Sequence, residues 1–346
     1  NERDDAVGWI LGGEDVKLNS EYIIDNYAFF NELKINLNKF IFRLNARVEN
    51  MNIDYKATHF HEDFDENYYP IYDTTYVPKN IQNNLLGGRF SALYMINSSN
   101  NIYLTISNGF KAGGVNQNPR LSSKNQSFNP EKNTNLDFGY RFIDEQLSFN
   151  INLFYMNRQN LQVTLSSQQD DENPNSFYFY TTNASTGFNY GLNLNIQIVS
   201  NDNFDSYLTL GFLKTNINPY EYMIDTETIL TYPEREAAHA PSYTFSTGFT
   251  KYYKSFYWSA NIEGKDAFYF SDSHNQISLP YSIVNLDFGY KINSNTEFSI
   301  WSKNIFNTKY ATRGFYFSLE PPNWEDKLYL MYGEPFSIGL TIKIII

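Results

Sequence analysis

The sequence predicts an all-β chain folded as an antiparallel, up-and-down transmembrane β-barrel. Three observations carry that reading: strict alternation of apolar and polar residues, strands long enough to cross a bilayer, and connections that alternate short and long. The last segment shows the alternation best. Ile338, Leu340, Ile342 and Ile344 fall on one face, and Ser337, Gly339, Thr341 and Lys343 on the other. Leu136, Phe138, Tyr140 and Phe142 oppose Asn135, Asp137, Gly139 and Arg141. Val284, Leu286, Phe288 and Tyr290 oppose Asn285, Asp287 and Gly289, and Phe42, Leu44, Ala46 and Val48 oppose Arg43, Asn45, Arg47 and Glu49. Successive strand side chains point to opposite faces, so each row marks a strand with one apolar and one polar side.

By this criterion about fourteen strands are expected. They cover 6–14, 26–36, 40–57, 82–97, 101–111, 132–143, 146–166, 177–199, 205–216, 241–253, 256–270, 281–291, 296–308 and 333–346. Most reach or exceed the roughly 9–11 residues that a tilted strand needs to span a bilayer. Short turns are expected near 36–39, 97–101, 143–146, 200–203, 254–255 and 293–296. Long loops are expected near 15–25, 58–81, 112–131, 167–176, 217–240, 271–280 and 309–332. One trimmed end and one elaborated end is the pattern of an outer-membrane barrel, whose long loops face outward. The final strand then runs toward the periplasm. No fixed internal repeat stands out beyond this hairpin rhythm, and no linker divides the chain.

A soluble antiparallel sheet alternates as well, with its apolar face turned inward. A soluble all-β binding protein is therefore the rival fold. Strand length, loop asymmetry and aromatic content favour the membrane barrel. The 29 Phe and 29 Tyr exceed what a core needs and suit the girdles at the two membrane interfaces. No run of about 18 apolar residues occurs, so no transmembrane helix is predicted. Strands that alternate lipid-facing and lumen-facing residues average out in hydropathy.

The 346 residues carry a net charge of −12 and no cysteine. The acidic balance excludes nucleic acid as a partner, because no basic stripe is available for phosphates. The missing thiols exclude a disulfide scaffold and a Cys-ligated metal or iron–sulfur centre. No catalytic constellation is found, and no cofactor is expected. His59-Phe-His61-Glu-Asp63 is the one tight cluster of potential ligands, with all four histidines (His59, His61, His239, His274) assigned to loops. Two His at i, i+2 suit a divalent or ferric ion, but a solvated acidic loop accounts for them with less, and no metal site is assigned. Gly113-Gly114 lacks the helix and Lys-Ser/Thr of a phosphate cradle and reads as a tight loop start.

Three stretches resemble the barrel of TonB-dependent receptors. The first is Asn101-Ile-Tyr-Leu-Thr-Ile-Ser-Asn-Gly-Phe-Lys-Ala-Gly-Gly-Val-Asn116 followed by Phe128-Asn-Pro-Glu131. The second is Asn135-Leu-Asp-Phe-Gly-Tyr-Arg141 with Leu147 to Met156. The third is Lys303-Asn-Ile-Phe-Asn307, Tyr310-Ala-Thr-Arg313 and Gly333-Glu-Pro335 leading into Gly339-Leu-Thr-Ile342. The sequence departs from the family pattern at Asn307 (Asp in the family), at Phe336 (Arg) and at Ile346, where the family ends on an aromatic.

The resemblance implies an outer-membrane protein that takes up a scarce ligand actively. That ligand is a ferric siderophore or other iron complex first, cobalamin or an oligosaccharide next. It implies partnership with the TonB energy-transducing complex, and contact with outer-membrane lipid and lipopolysaccharide. Transporters of this type have about 22 strands around a plugged lumen. Residues 1–346 are therefore expected to be the C-terminal part of an incomplete barrel, with about eight strands and the plug lying upstream. The rival function is a passive porin. Ligand-binding residues are expected in the outer loops: His59, His61, Asp63, Tyr68, Tyr69, Phe177, Tyr178 and Tyr316. Aromatic rings stack on planar or sugar-like ligands, and His and Asp suit a chelated metal.

Overall fold

Period-two alternation makes almost the whole chain extended. The computed structural model describes all residues except 1, 12–13, 65–68, 118–120, 122, 169–176, 184–185, 201–202, 224–228, 273, 319–322, 324 and 346. Every regular element among the described residues is a strand. In chain order, β1 (Glu2–Leu11), β2 (Glu14–Leu37), β3 (Phe40–Phe64), β4 (Pro70–Met95) and β5 (Asn100–Lys111) precede a short ribbon, β6 (Gly114–Val115) and β7 (Ser127–Phe128). Next come β8 (Glu131–Ile143), β9 (Leu147–Gln159), and the ribbon β10 (Gln162–Gln168) with β11 (Phe177–Asn183). Strands β12 (Thr186–Ser200) and β13 (Phe204–Ile217) lead to the ribbon β14 (Tyr220–Met223) with β15 (Ile229–Tyr232). Strands β16 (Tyr243–Tyr253) and β17 (Phe256–Lys265) lead to β18 (Phe268–Tyr269) with β19 (Ile277–Ser278). The chain closes with β20 (Tyr281–Lys291), β21 (Thr296–Lys303), the ribbon β22 (Ala311–Ser318) with β23 (Asp326–Tyr332), and β24 (Ser337–Ile344).

Fourteen of these strands form one antiparallel meander in the order β1-β2-β3-β4-β5-β8-β9-β12-β13-β16-β17-β20-β21-β24. The remaining ten pair as five two-stranded ribbons that decorate one end. The other end is trimmed to tight turns. Asn38, Asn203 and Lys254 take left-handed conformations there, with φ of 50°, 58° and 53°, a region that Asn enters more readily than most residues. Asn97 closes the β4–β5 turn by accepting from the Ser99 and Asn100 amides, both at 2.9 Å. Among the described residues β1 and β24 pair with one neighbour each and not with each other.

The apolar rows lie on the exposed face of the sheet. Leu136, Phe138, Leu153, Tyr155, Leu286, Phe288, Ile338, Leu340, Ile342 and Ile344 are all exposed. A soluble sandwich would have buried them. Register places them side by side: Phe138 opposes Leu153, which opposes Leu192, and Phe288 opposes Ile300, which opposes Leu340. The opposite face holds Asp137, Asn152, Asn193, Asn261 and Asp287. Apolar outside and polar inside is the arrangement of a barrel wall in lipid.

This polarity inverts along β2–β4. On β3, Phe40, Phe42, Leu44, Ala46 and Val48 share the lipid-facing side, about nine residues, the roughly 9–11 of a bilayer crossing. One step further the same face carries Asn50, Asn52, Asp54 and Lys56. The inner face changes the other way: Ile53, Tyr55 and Ala57 are each only 2% exposed. Neighbouring strands switch on the same rung. Phe29, Val48 and Leu86 are partners, and the next outward rung is Tyr27, Asn50 and Asn84. That rung marks where the wall leaves the hydrocarbon.

The inversion corrects two expectations. Residues 15–25 are strand, and of 58–81 all but the tip is strand, because β2, β3 and β4 continue beyond the bilayer, where Ile53, Tyr55 and Ala57 turn inward. The expected single strands 146–166 and 177–199 are each divided into a wall strand and a ribbon strand. Asn160, at φ 52°, breaks the first. The last strand begins at Ser337 rather than 333.

On the inner face an aromatic ring repeatedly lies over a glycine directly across the ladder. The pairs are Tyr103–Gly139, Phe154–Gly191, Tyr207–Gly248, Tyr257–Gly289 and Trp301–Gly339. A Cβ added at Gly139 or Gly289 would meet the tyrosine ring at about 2 Å. The hexapeptide Asn135–Tyr140 recurs letter for letter as Asn285–Tyr290. Each copy supplies the glycine of one such pair, so the chain does contain a short repeat, and register gives it a purpose.

Candidate functional site

The ribbons gather over the elaborated end and pack together. Leu121, Leu161, Val163, Leu165, Tyr180, Ile217 and Tyr220 form a buried cluster joined by Tyr232 and Ala237. Residues from three separate connections thus share one small core. Side-chain amides tie them. Asn116 donates to the Thr181 carbonyl (2.7 Å) and accepts from the Thr181 amide (2.9 Å), imitating a ladder pair. Asn183 accepts from the Asn129 amide (2.7 Å) and donates back to its carbonyl (3.0 Å). Tyr55 donates to the Gln117 carbonyl (3.3 Å) and Asn83 to that of Gly113 (3.3 Å), which fastens the 112–128 connection to the raised inner wall. Gly113 and Gly114 sit hard against Phe128, where a Cβ would clash, so they open a tight loop as the sequence indicated.

Buried Glu131 anchors the base of this lobe. It accepts from Arg158 Nε (2.8 Å) and from the Gln162 amide (2.9 Å). Arg158 is only partly buried, so removing Glu131 costs about 1.5–3 kcal/mol, the range for lost bonds to a charged group. Glu131→Ala is therefore expected to loosen β10–β11 from the wall. Amide exchange of Gln162 to Leu165 should rise by at least tenfold while exchange in β12–β13 holds. Unchanged protection would contradict the anchoring role.

Beside the lobe a cavity of about 680 Å³ opens, lined by Lys214, Asn216, Tyr232, Arg235, Tyr269 and His274 among others. Pairing positions it: the Ile217 and Arg235 backbones exchange bonds of 2.8 and 3.1 Å at the rim. Arg235 then reaches across. Its guanidinium donates to the carbonyls of Asp272 (2.9 Å), Ser271 (2.9 Å) and His274 (3.0 Å), and stands 4.7 Å over the Tyr269 ring. Lys214 is paired with Glu236. His274 lies 5.7 Å, ring to ring, from Tyr316.

Burial, and then the Arg235 charge, push the His274 imidazole below its ordinary value. A depressed histidine favours the neutral form in the folded state. Its contribution is present above the unfolded value near 6.5 and is lost as pH falls through the folded one. The 269–276 segment is expected to become more protease-sensitive on acidification from pH 7 to 5. His274→Asn should remove most of that pH dependence, and an unchanged profile would contradict the assignment.

The structure distributes the expected ligand residues unevenly. Tyr316, in β22, approaches the cavity through His274. Tyr69 is strongly exposed at the outer tip. His59, His61 and Asp63 lie within β3 rather than in a loop, because β3 continues to Phe64. Phe177 and Tyr178 begin β11, opposite Gln168 and Ser167. The side chains of these five, and Tyr68 entirely, lie outside the described residues. His239 is in the expected loop, 5.5 Å from the Phe268 ring. Lys214, Arg235 and Tyr269 were not singled out from sequence, and His274, named there only as a loop histidine, does lie in a loop, between β18 and β19. The run Pro233-Glu-Arg-Glu236 was a signal of charge, but only the pairing brings it to a cavity.

Comparison with known proteins agrees with this architecture. The TonB-dependent receptor-like β-barrel family matches residues 4–307. The fold is similar to that of the ferric yersiniabactin uptake receptor FyuA from Yersinia pestis. There the TM-score is 0.70 at 15% identity, covering 95% of this chain and 47% of that one. The ferric-catecholate import receptor Fiu from E. coli K12 gives 0.64 at 15% identity, covering 97% and 46%. The siderophore receptor PiuA from Acinetobacter baumannii gives 0.61 at 12% identity, covering 95% and 56%. The chain spans about half the length of these structures. With most of its residues matched by that family, and an apolar-outside wall to agree, the chain belongs to the TonB-dependent receptor-like β-barrel family and is an outer-membrane protein.

Proposed function

We propose that the protein imports a metal chelate, a ferric siderophore before other cargo, through the outer membrane in a TonB-dependent step. Residues 1–346 supply the C-terminal part of the barrel, and the remaining strands and a plug lie upstream. The 14-stranded sheet, whose end strands do not pair with each other among the described residues, supports that division. The observation that carries the reading is the packed outer lobe with the cavity beside it. Ligand pockets typically occupy about 300–1,000 Å³, and this one falls in that range with aromatic, cationic and amide groups on its wall. Among the similar structures, the two named for ferric yersiniabactin and ferric catecholate favour iron among the candidate cargoes, and the one named as a siderophore receptor is consistent with it.

The test is uptake in a strain lacking its own ferric-siderophore receptors, grown under iron limitation with a panel of ferric chelates. Import of one chelate that stops when TonB is deleted is the expected result. Import that persists without TonB would mean passive passage, as in a porin. Import of none would overturn the iron reading. Replacing His274 and Tyr316 together by Ala should reduce import at least tenfold while heat-modifiable migration of the barrel stays normal.

A further inference from the structure

The charges around the outer cavity cancel in place. Lys214 and Arg235 are the two cations among its described lining residues, and Glu234 and Glu236 are the two carboxylates. Lys214 is paired with Glu236, and the Glu234 carboxylate acts on the same ammonium. An anion that recruited Lys214 would therefore sit beside two carboxylates. Arg235 is committed elsewhere. Of the five N–H groups of a guanidinium, three go here to the carbonyls of Asp272, Ser271 and His274, and the Nε group is buried. A single Nη1 hydrogen is left, so Arg235 cannot present the paired donors that fork onto a carboxylate. Burial and the Arg235 charge keep the His274 imidazole in its neutral form. What the wall offers a ligand is dipolar: that ring and the amides of Asn216 and Asn275.

We propose, on the reading of this cavity as the cargo site, that it selects its chelate by charge and takes a ferric trihydroxamate without net negative charge over polyanionic ferric chelates. Three hydroxamates cancel the charge of a ferric ion, whereas three catecholates leave a trianion. Amides supply donor and acceptor to the dipoles of a neutral chelate. A trianion would give up its hydration against a lining with no uncommitted cation among the described residues, and a desolvated charge without a partner is costly. The lumen face of the adjoining strands has the same character. Asn195, Thr209, Ser246 and Glu263 are successive partners across β12, β13, β16 and β17. That rung carries amide, hydroxyl and carboxylate groups and no cation.

The test measures binding to the full-length protein in detergent by quenching of its intrinsic fluorescence. The probes are a cyclic and a linear ferric trihydroxamate, neither with net negative charge, and a cyclic and a linear ferric tris-catecholate, both trianionic. The tighter of the hydroxamates should bind at least about tenfold more tightly than the tighter of the catecholates. Raising the ionic strength should strengthen the residual catecholate binding, because salt screens a repulsion. Glu234→Gln, at an exposed position on the rim, should narrow the preference by about threefold or more. A catecholate that bound as tightly as the hydroxamates would overturn the charge selection and leave the iron reading standing. So would catecholate binding that weakened with salt, or a preference unchanged in Glu234→Gln. Binding of neither class would overturn the iron reading itself, and this inference with it.

Discussion

Leu153→Arg is expected to lower the stability of the barrel by about 2–4 kcal/mol, the cost of a cation on the lipid face near the midplane. Leu153 sits in the centre of the sheet between Phe138 and Leu192, two residues whose side chains share its face. No water reaches that face in the membrane, and the band is too wide there for a guanidinium to reach either interface easily. Gln197→Arg is the control. Gln197 is exposed on the opposite face, between Ser148 and Tyr207, where water solvates the charge, and its effect should stay within about 0.5 kcal/mol. Denaturant titration in lipid vesicles reads both. Similar losses for the two variants would mean that the faces are wrongly assigned.

Gly289→Val is expected to cost about 3 kcal/mol or more, from overpacking and the loss of a bond to a charged partner. A Cβ at this position would lie 2.0 Å from Tyr257 Cε1. The ring cannot turn aside freely, because its hydroxyl donates to Glu297 at 3.0 Å. Tyr257→Ala/Gly289→Val removes the obstructing ring, so the double variant should be more stable than Gly289→Val alone. That non-additivity is the signature of direct contact. If the two effects simply add, the ring and the glycine are not opposed as described. Gly139, under Tyr103 in the other copy of the hexapeptide, should behave in the same way.

Much of the wall was legible because one rule, apolar outward, holds along whole strands. Leu136 to Phe142, Val284 to Tyr290 and Ile338 to Ile344 obey it, and both their faces and their place in the meander follow. The rule fails above the bilayer. On β3 beyond Val48 the outward residues are Asn and Asp, while Ile53 and Tyr55 turn inward under the 112–128 connection. Read by the rule of the lower wall, such a segment resembles a polar loop, so His59 and His61 were placed in one. The candidate cavity was less legible still. Arg235 acquires its role by holding three carbonyls some 36 to 39 residues away in sequence, and no local spacing announces that. Tyr316 stood out only as one of many aromatics.

The most direct test of this account is a single-cysteine scan of β3 from Phe42 to Lys56, within residues 1–346, which contain no cysteine of their own. Each variant carries a nitroxide or a fluorophore in reconstituted membranes, challenged in turn with a lipid-soluble and a water-soluble quencher. Positions 42, 44, 46 and 48 should respond to the lipid-soluble quencher alone. Positions 50, 52, 54 and 56, on the same face, should respond to the water-soluble one, with the change falling between 48 and 50. Positions 43, 45 and 47 should report water throughout. A response to the lipid-soluble quencher that continued past 50, or that showed no two-residue period below it, would contradict the inverted wall from which the rest follows.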